Sequence, residues 1–311
     1  MHLQPDTKRF LRTNVSLAPY STLKVGGPAS YFAEPKSRDE LASVAHFVQQ
    51  EGLLCFVLGR GSNTLFDDQG FHGCVIHTRK LEPDLFLSEN KSLIKVSAGM
   101  GLFRLSWLCQ SKGFGGIEFL CHVPGTVGGA IAMNAGFARP GCAWREMKNV
   151  VKSVTIMDLS GVTQKLNCDE LGFSYRESHL KPGQIVLDVE LELELNDPEI
   201  IKQEITENFK YRNSVQDLSL PSLGSTFKNP TQSKQTSGQL LDLVGMRGMR
   251  RGGAMVSNRH ANFIMNVDQA KARDVLDLMQ IAQTRVFEKF GIKLMPEIKH
   301  IFPLGQESIE K

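Results

Sequence analysis

Val123-Pro124-Gly125-Thr126-Val127-Gly128-Gly129-Ala130, with Met133-Asn134-Ala135-Gly136 close behind, is the stretch that decides how this chain reads. Gly113, Gly115, Gly116, Gly125, Gly128 and Gly129 crowd into the same region. Each glycine costs roughly 0.5–1 kcal/mol in regular structure, so a surface loop has no use for so many. Ile117, Phe119, Leu120, Val127, Ile131 and Met133 make the stretch too apolar for a flexible linker. Such backbone belongs where the chain passes close against something flat or charged. A diphosphate held by amide hydrogens, with an isoalloxazine ring against the chain, meets that description.

Upstream, Leu58-Gly59-Arg60-Gly61-Ser62-Asn63 follows the short apolar run Leu53–Leu58, which predicts a buried strand. Glycine here lets amides turn inward, and Ser62 and Asn63 add side-chain donors. The third glycine of the G-x-G-x-x-G fingerprint is missing. Phe66-Asp67-Asp68-Gln69-Gly70 reads as a turn rather than a helix start. The Rossmann reading is therefore weak, which turns the expectation from NAD toward FAD.

The 311 residues carry 36 Lys+Arg against 33 Asp+Glu, a net charge of +3. That balance gives no reason to expect nucleic acid or an anionic membrane as partner. Met1–Arg9 is polar and lacks a signal-peptide core, and no run of 18 apolar residues occurs, so a cytoplasmic protein without membrane insertion is expected. The six cysteines form no CxxC pair, which predicts reduced, buried thiols and no metal site. Nothing points to an obligatory protein partner.

Helix and strand signals alternate along the chain. Ser37-Arg38-Asp39-Glu40 reads as a capping box before Leu41, Val44, Ala45 and Val48. Strands are predicted at Cys74–Thr78 and Leu93–Ser97, a helix from Leu102 to Gly113, and a hairpin around Ser160-Gly161. Ile185–Leu195 alternates, with Asp188, Glu190, Glu192 and Glu194 as its wet face. Asn196-Asp197-Pro198 breaks that pattern and starts a helix to about Arg212. Ser237–Leu243 reads as helical, His260–Asn266 as a strand, and Asp268 as the cap of a helix with stripe Val275, Leu278, Met279, Ala282 and Val286. Ile292–Phe302 reads as the last strand. The fold class is α+β with mixed sheets, in three parts: residues 1–88, 89–197 and 198–311.

These residues resemble the MurB family of UDP-N-acetylenolpyruvoylglucosamine reductases, flavoproteins with the vanillyl-alcohol-oxidase (PCMH) type of FAD-binding fold. The likeness rests on both glycine-rich loops and on Tyr175-Arg176-Glu177-Ser178, Gly224-Ser225-Thr226-Phe227-Lys228-Asn229-Pro230 and Pro296-Glu297. Ser21–Ala29 and Ser257–Phe263 match too, and the order is that of the family. The resemblance implies a two-part FAD-binding region and a C-terminal substrate-binding domain whose last strand carries Glu297. Met295 stands where the family commonly has the first acid of Glu-Pro-Glu. The short segment between Arg176 and Ser225 is similar to the compact type II form.

The activity so implied is NADPH-dependent reduction of an enolpyruvyl ether on a UDP-sugar, with non-covalent FAD, in peptidoglycan precursor synthesis. Leu58, Gly59, Arg60, Gly61, Ser62, Asn63, Pro124, Gly125, Thr126, Gly128, Gly129, Asn134 and Gly136 would hold the cofactor. Arg176 would pair with the substrate carboxylate through its planar fork. Ser225 would protonate carbon, helped by a polarised neighbour. Glu297 would donate a hydrogen bond to the carboxylate, which needs a desolvated carboxyl of raised pKa. Tyr175, Lys228, Asn229 and His260 are candidate substrate contacts, with a satisfied core histidine as the alternative for His260. Arg247, Arg250 and Arg251 read as a diphosphate contact or as a solvated basic turn. Two alternatives stand beside this reading: an FAD-dependent oxidase of the same fold acting on a small alcohol, and a nucleotide-binding module without chemistry.

Overall fold

The computed structural model describes residues 10–81, 85–87 and 92–304; the polar N-terminus Met1–Arg9 and the expected division between residues 88 and 89 lie outside them. The first elements are strands β1 (Leu11–Ser16) and β2 (Pro28–Ala33), helix α1 (Arg38–Gln50), and strands β3 (Cys55–Leu58), β4 (Thr64–Phe66), β5 (Phe71–His77), β6 (Leu85–Leu87) and β7 (Leu93–Ser97). Helix α2 (Leu102–Ser111), β8 (Phe114–Gly115), helix α3 (Val127–Ala132), β9 (Gly136–Phe137) and β10 (Arg145–Glu146) follow. Then come β11 (Val151–Met157), β12 (Thr163–Asn167), β13 (Ile185–Glu192), β14 (Glu194–Leu195) and α4 (Pro198–Val215). The last part holds β15 (Ser222–Ser225), α5 (Ser237–Leu243), β16 (Arg250–Arg251), β17 (Ala254–Val256), β18 (Phe263–Asn266), α6 (Ala272–Phe290) and β19 (Lys299–Ile301).

The chain divides into two compact units. The first takes the described residues of 1–13, 31–60 and 74–212, the second those of 14–30, 61–73 and 213–311. The residue-198 boundary read from Asn196-Asp197-Pro198 therefore falls inside the first unit, because most of α4 belongs to it. Ile201 and Ile205 of α4 bury against Cys121 there.

In the first unit β3 runs parallel to β5, with Cys55 opposite Cys74 and Leu58 opposite His77. Ser37 accepts the Glu40 amide at the start of α1, while the Glu40 carboxylate takes the Lys36 amide instead of closing a reciprocal box. A five-stranded sheet runs β12-β11-β13-β7-β6. Strand β13 departs from the simple alternation. Its pairing with β11 slips between Thr155 and Ile156, a β-bulge. Ile185 and Leu187 consequently join the core around α1, whereas Val186, Val189 and Leu191 face the core around α2 and α3. The expected wet face is corrected at one position. Asp188 is buried and ion-paired with Arg38 and with Lys95, the latter at 3.4 Å. Glu190 is half-buried, and Glu192 and Glu194 are exposed as the alternation predicts, so only the covered start of the strand departs from it.

The second unit holds the antiparallel sheet β15-β18-β17-β16 and the parallel pair β19-β4. The stripe Val275, Leu278, Met279, Ala282 and Val286 of α6 is buried as its spacing requires. Asp268 does not cap this helix. Asp68, from the turn after β4, accepts the amides of Ala272 at 2.8 Å and Arg273 at 3.1 Å. Asp268 lies too far upstream, and Lys271 is the N-cap residue. Asp68→Ala is expected to lower stability by about 1–2 kcal/mol in urea titration. Asp268→Ala is expected to change it by less than about 0.5 kcal/mol. The reverse ranking would refute this assignment of the cap.

All six cysteines are free. Burial pushes the thiols of Cys55 and Cys109 up to about 12, which makes them inert at neutral pH. Cys142 corrects the expectation of buried thiols, since it is exposed. Among the described residues no group of His, Cys, Asp and Glu is arranged to hold a metal ion, and no helix is long and apolar enough to cross a membrane.

Candidate active site

In the first unit the two glycine-rich segments meet. A Cβ on Gly59 would lie 2.5 Å from the Thr126 hydroxyl, so only glycine fits beside it. Leu58 anchors the turn as a buried residue, and Arg60 is exposed beyond it. Thr126 caps α3, its Oγ accepting the Gly129 amide at 3.3 Å. The amides of Val127 and Gly128 go to the carbonyls of Met100 and Ala98. Three of the amides expected to cradle a ligand are thus taken by the protein. Pro124, which has no N–H, is exposed, and Gly125 is half-buried with its carbonyl accepting from Leu102.

Asn134 braces the loop instead of presenting donors to a ligand. It is fully buried and sits at φ 39°, a left-handed conformation that asparagine tolerates. Its Oδ1 accepts from the Lys148 amide at 3.1 Å. Its Nδ2 donates to Glu146 at 3.0 Å and to the Ser174 carbonyl at 2.9 Å. Gly136 is buried where β9 pairs with β10. Burial opposes the Glu146 charge, but hydrogen bonds from Trp144, Lys148 and Asn134 hold its carboxyl below the ordinary value.

The Ser174 carbonyl begins a tight turn, closed by reciprocal backbone bonds between Ser174 and Glu177 at 3.1 and 3.2 Å. Arg176 sits in it at φ 64°. Its guanidinium lies 5.1 Å from the centre of the Tyr175 ring and 5.3 Å from that of Trp144. Arg212, at the end of α4, stacks at 5.1 Å over Phe137. Burial, and then the charge of Arg176, push Arg212 down to about 10. An anion arriving at Arg176 would relieve that repulsion. Sequence reasoning misses Trp144, Glu146 and Arg212. Trp144 stands alone in a loop, and Arg212 reads as a helix-end residue.

In the second unit, three stretches far apart in sequence come together. Gly61 holds φ 64°, and a Cβ there would lie 2.2 Å from the Tyr20 carbonyl. Ser62 is half-exposed. Asn63 donates its side-chain amide to the Glu297 carbonyl at 2.9 Å, and its own carbonyl accepts from Lys299 at 2.9 Å. The Glu297 amide donates to the Thr226 carbonyl at 2.8 Å, next to Ser225, and Lys228 donates to Met295 at 2.9 Å. Asn262 locks the same segment by exchanging side-chain bonds of 2.9 Å with the Phe227 backbone. Ser225 and Glu297 are both half-buried.

Other candidates are committed to structure. Asn229 accepts from the Ser237 amide at 3.0 Å at the start of α5. His260 packs on Phe263, its Nδ1 accepts from the Asn262 amide at 3.2 Å, and burial lowers its pKa. Arg247 grips Asp242 with Nε and Nη2 and the Asn258 and Arg259 carbonyls with Nη1. Arg250 and Arg251 are exposed.

Comparison with known proteins then decides the family. Residues 29–167 match the model of an FAD binding domain. Residues 216–301 match that of the UDP-N-acetylenolpyruvoylglucosamine reductase C-terminal domain. The chain is 38% identical over 300 residues to the UDP-N-acetylenolpyruvoylglucosamine reductase of Synechocystis, covering 94% of this chain and 91% of that one. It belongs to the UDP-N-acetylenolpyruvoylglucosamine reductase family. The Moorella thermoacetica reductase is likewise 38% identical, over 96% of this chain and 95% of its own length. The crystal structure of the MurB reductase from Thermus caldophilus superposes with a TM-score of 0.77 at 36% identity, covering 94% of this chain and 99% of that chain. The family resemblance and the α+β fold read from the motifs are borne out, and the chain is an FAD-containing oxidoreductase of the MurB type.

Proposed function

We propose that this chain reduces the enolpyruvyl ether of UDP-N-acetylglucosamine enolpyruvate to UDP-N-acetylmuramate, with NADPH as the reductant. The carrying observation is the Glu297 amide on the Thr226 carbonyl at 2.8 Å, which makes neighbours of the Gly-Ser-Thr-Phe-Lys-Asn-Pro and Pro-Glu motifs. The donor set fits a dinucleotide. Arg60 is an exposed cation, Ser62 a half-exposed hydroxyl, and Gly61 gives the change of backbone hand from which anion-binding concavities are built. Bound FAD supplies a two-electron carrier between NADPH and the vinyl carbon.

The side chains do the rest. Arg176 holds the substrate carboxylate in its fork and stabilises the charge that grows on it. Glu297, as a neutral acid, donates to the same group, where an ionised carboxylate would oppose the charge. Ser225 gives a proton to the carbon bearing the carboxylate and regains one from solvent. Lys228 and Tyr175 contact the sugar nucleotide.

The purified protein is expected to show a flavin spectrum that NADPH bleaches and the enolpyruvyl sugar nucleotide restores. A colourless protein that takes up no FAD would overturn this reading. Oxygen consumption with a small alcohol, without response to the sugar nucleotide, would favour the oxidase.

A further inference from the structure

Arg176 has a long side chain on a strained turn, and what surrounds it decides whether its fork waits in one place. Its guanidinium carbon lies within 5.3 Å of both the Trp144 and Tyr175 ring centres, inside the range of cation–π attraction. The two rings are 6.2 Å apart and inclined at 50°, so together they form an aromatic cleft around the cation. Tyr175 is its chain neighbour and turns with it. Trp144 comes from a separate loop and provides an independent wall.

The segment bearing that wall is held in place. Two residues on, the Glu146 carboxylate receives Asn134 Nδ2 at 3.0 Å and Lys148 Nζ at 3.0 Å. Asn134 in turn holds the Ser174 carbonyl at the head of the Arg176 turn. Asn134 thus ties the Glu146 segment, which carries Trp144 two residues earlier, to the turn that carries Arg176. Trp144 is nevertheless 47% exposed, far more than a residue kept for the core. A large ring left this far in water is explained by the cation it covers.

We propose that Trp144 is a positioning residue for Arg176, its indole face setting the guanidinium plane in advance for a substrate carboxylate. This rests on the reading of Arg176 as the carboxylate's partner. A guanidinium stacked through its face still directs its N–H groups outward in its own plane, where two parallel bonds to a carboxylate form. Removing the indole leaves the charge in place and loosens the fork.

The test uses the FAD-loaded protein with Trp144→Ala, Trp144→Leu and Trp144→Phe. Return of flavin colour with saturating enolpyruvyl sugar nucleotide is expected to slow about tenfold in the Ala and Leu variants. Bleaching by NADPH should stay within about twofold in all three, since that step does not use the carboxylate. Phe, which keeps a π face, should recover most of the rate. A second readout is binding. In a Trp107→Phe background Trp144 is the single tryptophan. Its fluorescence is expected to change when the sugar nucleotide binds the oxidised protein, and Arg176→Met should abolish that change. An Ala variant with normal colour return would overturn the proposal, as would a Leu variant equal to Phe, because bulk alone would then suffice. If Arg176→Met itself left colour return unchanged, the reading of Arg176 would fail and the proposal with it. Loss in Arg176→Met but not in Trp144→Ala would sink the Trp144 role alone.

Discussion

Ser225→Ala is expected to cut turnover of the enolpyruvyl sugar nucleotide by about 10²–10⁴-fold while leaving bleaching by NADPH at its normal rate. The backbone there is held from both sides. Ser225 pairs with Phe263 across the sheet, and the next carbonyl, of Thr226, receives the Glu297 amide at 2.8 Å. Truncation to alanine leaves those bonds intact, so a loss reports the hydroxyl and not a displaced strand. A serine hydroxyl is a poor acid, and the rate it supports depends on a neighbour that polarises it. Ser225→Cys retains an acidic proton, since a free thiol ionises at about pH 8.5, and is expected to lose less than the alanine variant. Stopped-flow measurement of the two half-reactions separates the steps. Normal turnover in Ser225→Ala would remove serine from the proton-transfer role.

Much of the fold is legible because local signals agree with tertiary ones. The stripe of α6, the Ser37 cap of α1 and the strand Leu93–Ser97 all stand where periodicity and capping chemistry put them. The departures share one cause. Whether Asp188 is wet depends on what covers the sheet and on a bulge one residue away, and neither is written in the 185–195 pattern. The α6 amides are satisfied by Asp68, some 200 residues upstream, where a local rule selects Asp268. A carboxylate donated from elsewhere in the chain leaves no mark near the helix it caps.

The site divides in the same manner. The residues bearing recognisable motifs, Arg176, Ser225 and Glu297, can be picked out by type and order. The reason for several glycines cannot. Gly59 and Gly61 are required because Thr126 and Tyr20 press against them, which is packing within the protein and independent of any ligand. Asn134 reads as a donor to cofactor, yet its amide is consumed by Glu146, Ser174 and Lys148. Trp144 and Arg212 carry no sequence signal at all. They matter through the rings and charges they meet, and those meetings exist only after folding.

Arg176→Met is the other change with a large expected effect, a fall of about 10²–10³-fold in reduction of the sugar nucleotide. The magnitude follows from where the charge develops. As the vinyl carbon is reduced, electron density moves onto the neighbouring carbon and its carboxylate, and a fixed cation there is worth more in the transition state than in the ground state. The protein prepares that cation at some cost: Arg176 sits at φ 64°, and the Arg212 charge nearby makes the bare site unfavourable for cations. An anion bound at Arg176 would offset the second of these costs. Methionine has a similar unbranched stem and bears the same backbone strain, so the folded state should survive, which a thermal melt can confirm. Arg176→Lys keeps the charge but loses the fork and its stacking, and is expected to fall between wild type and methionine. Bleaching by NADPH provides the internal control. If the lysine variant matched wild type, charge alone would suffice and the geometry around Arg176 would have no catalytic consequence. If the methionine variant matched wild type, the carboxylate must be held by another group.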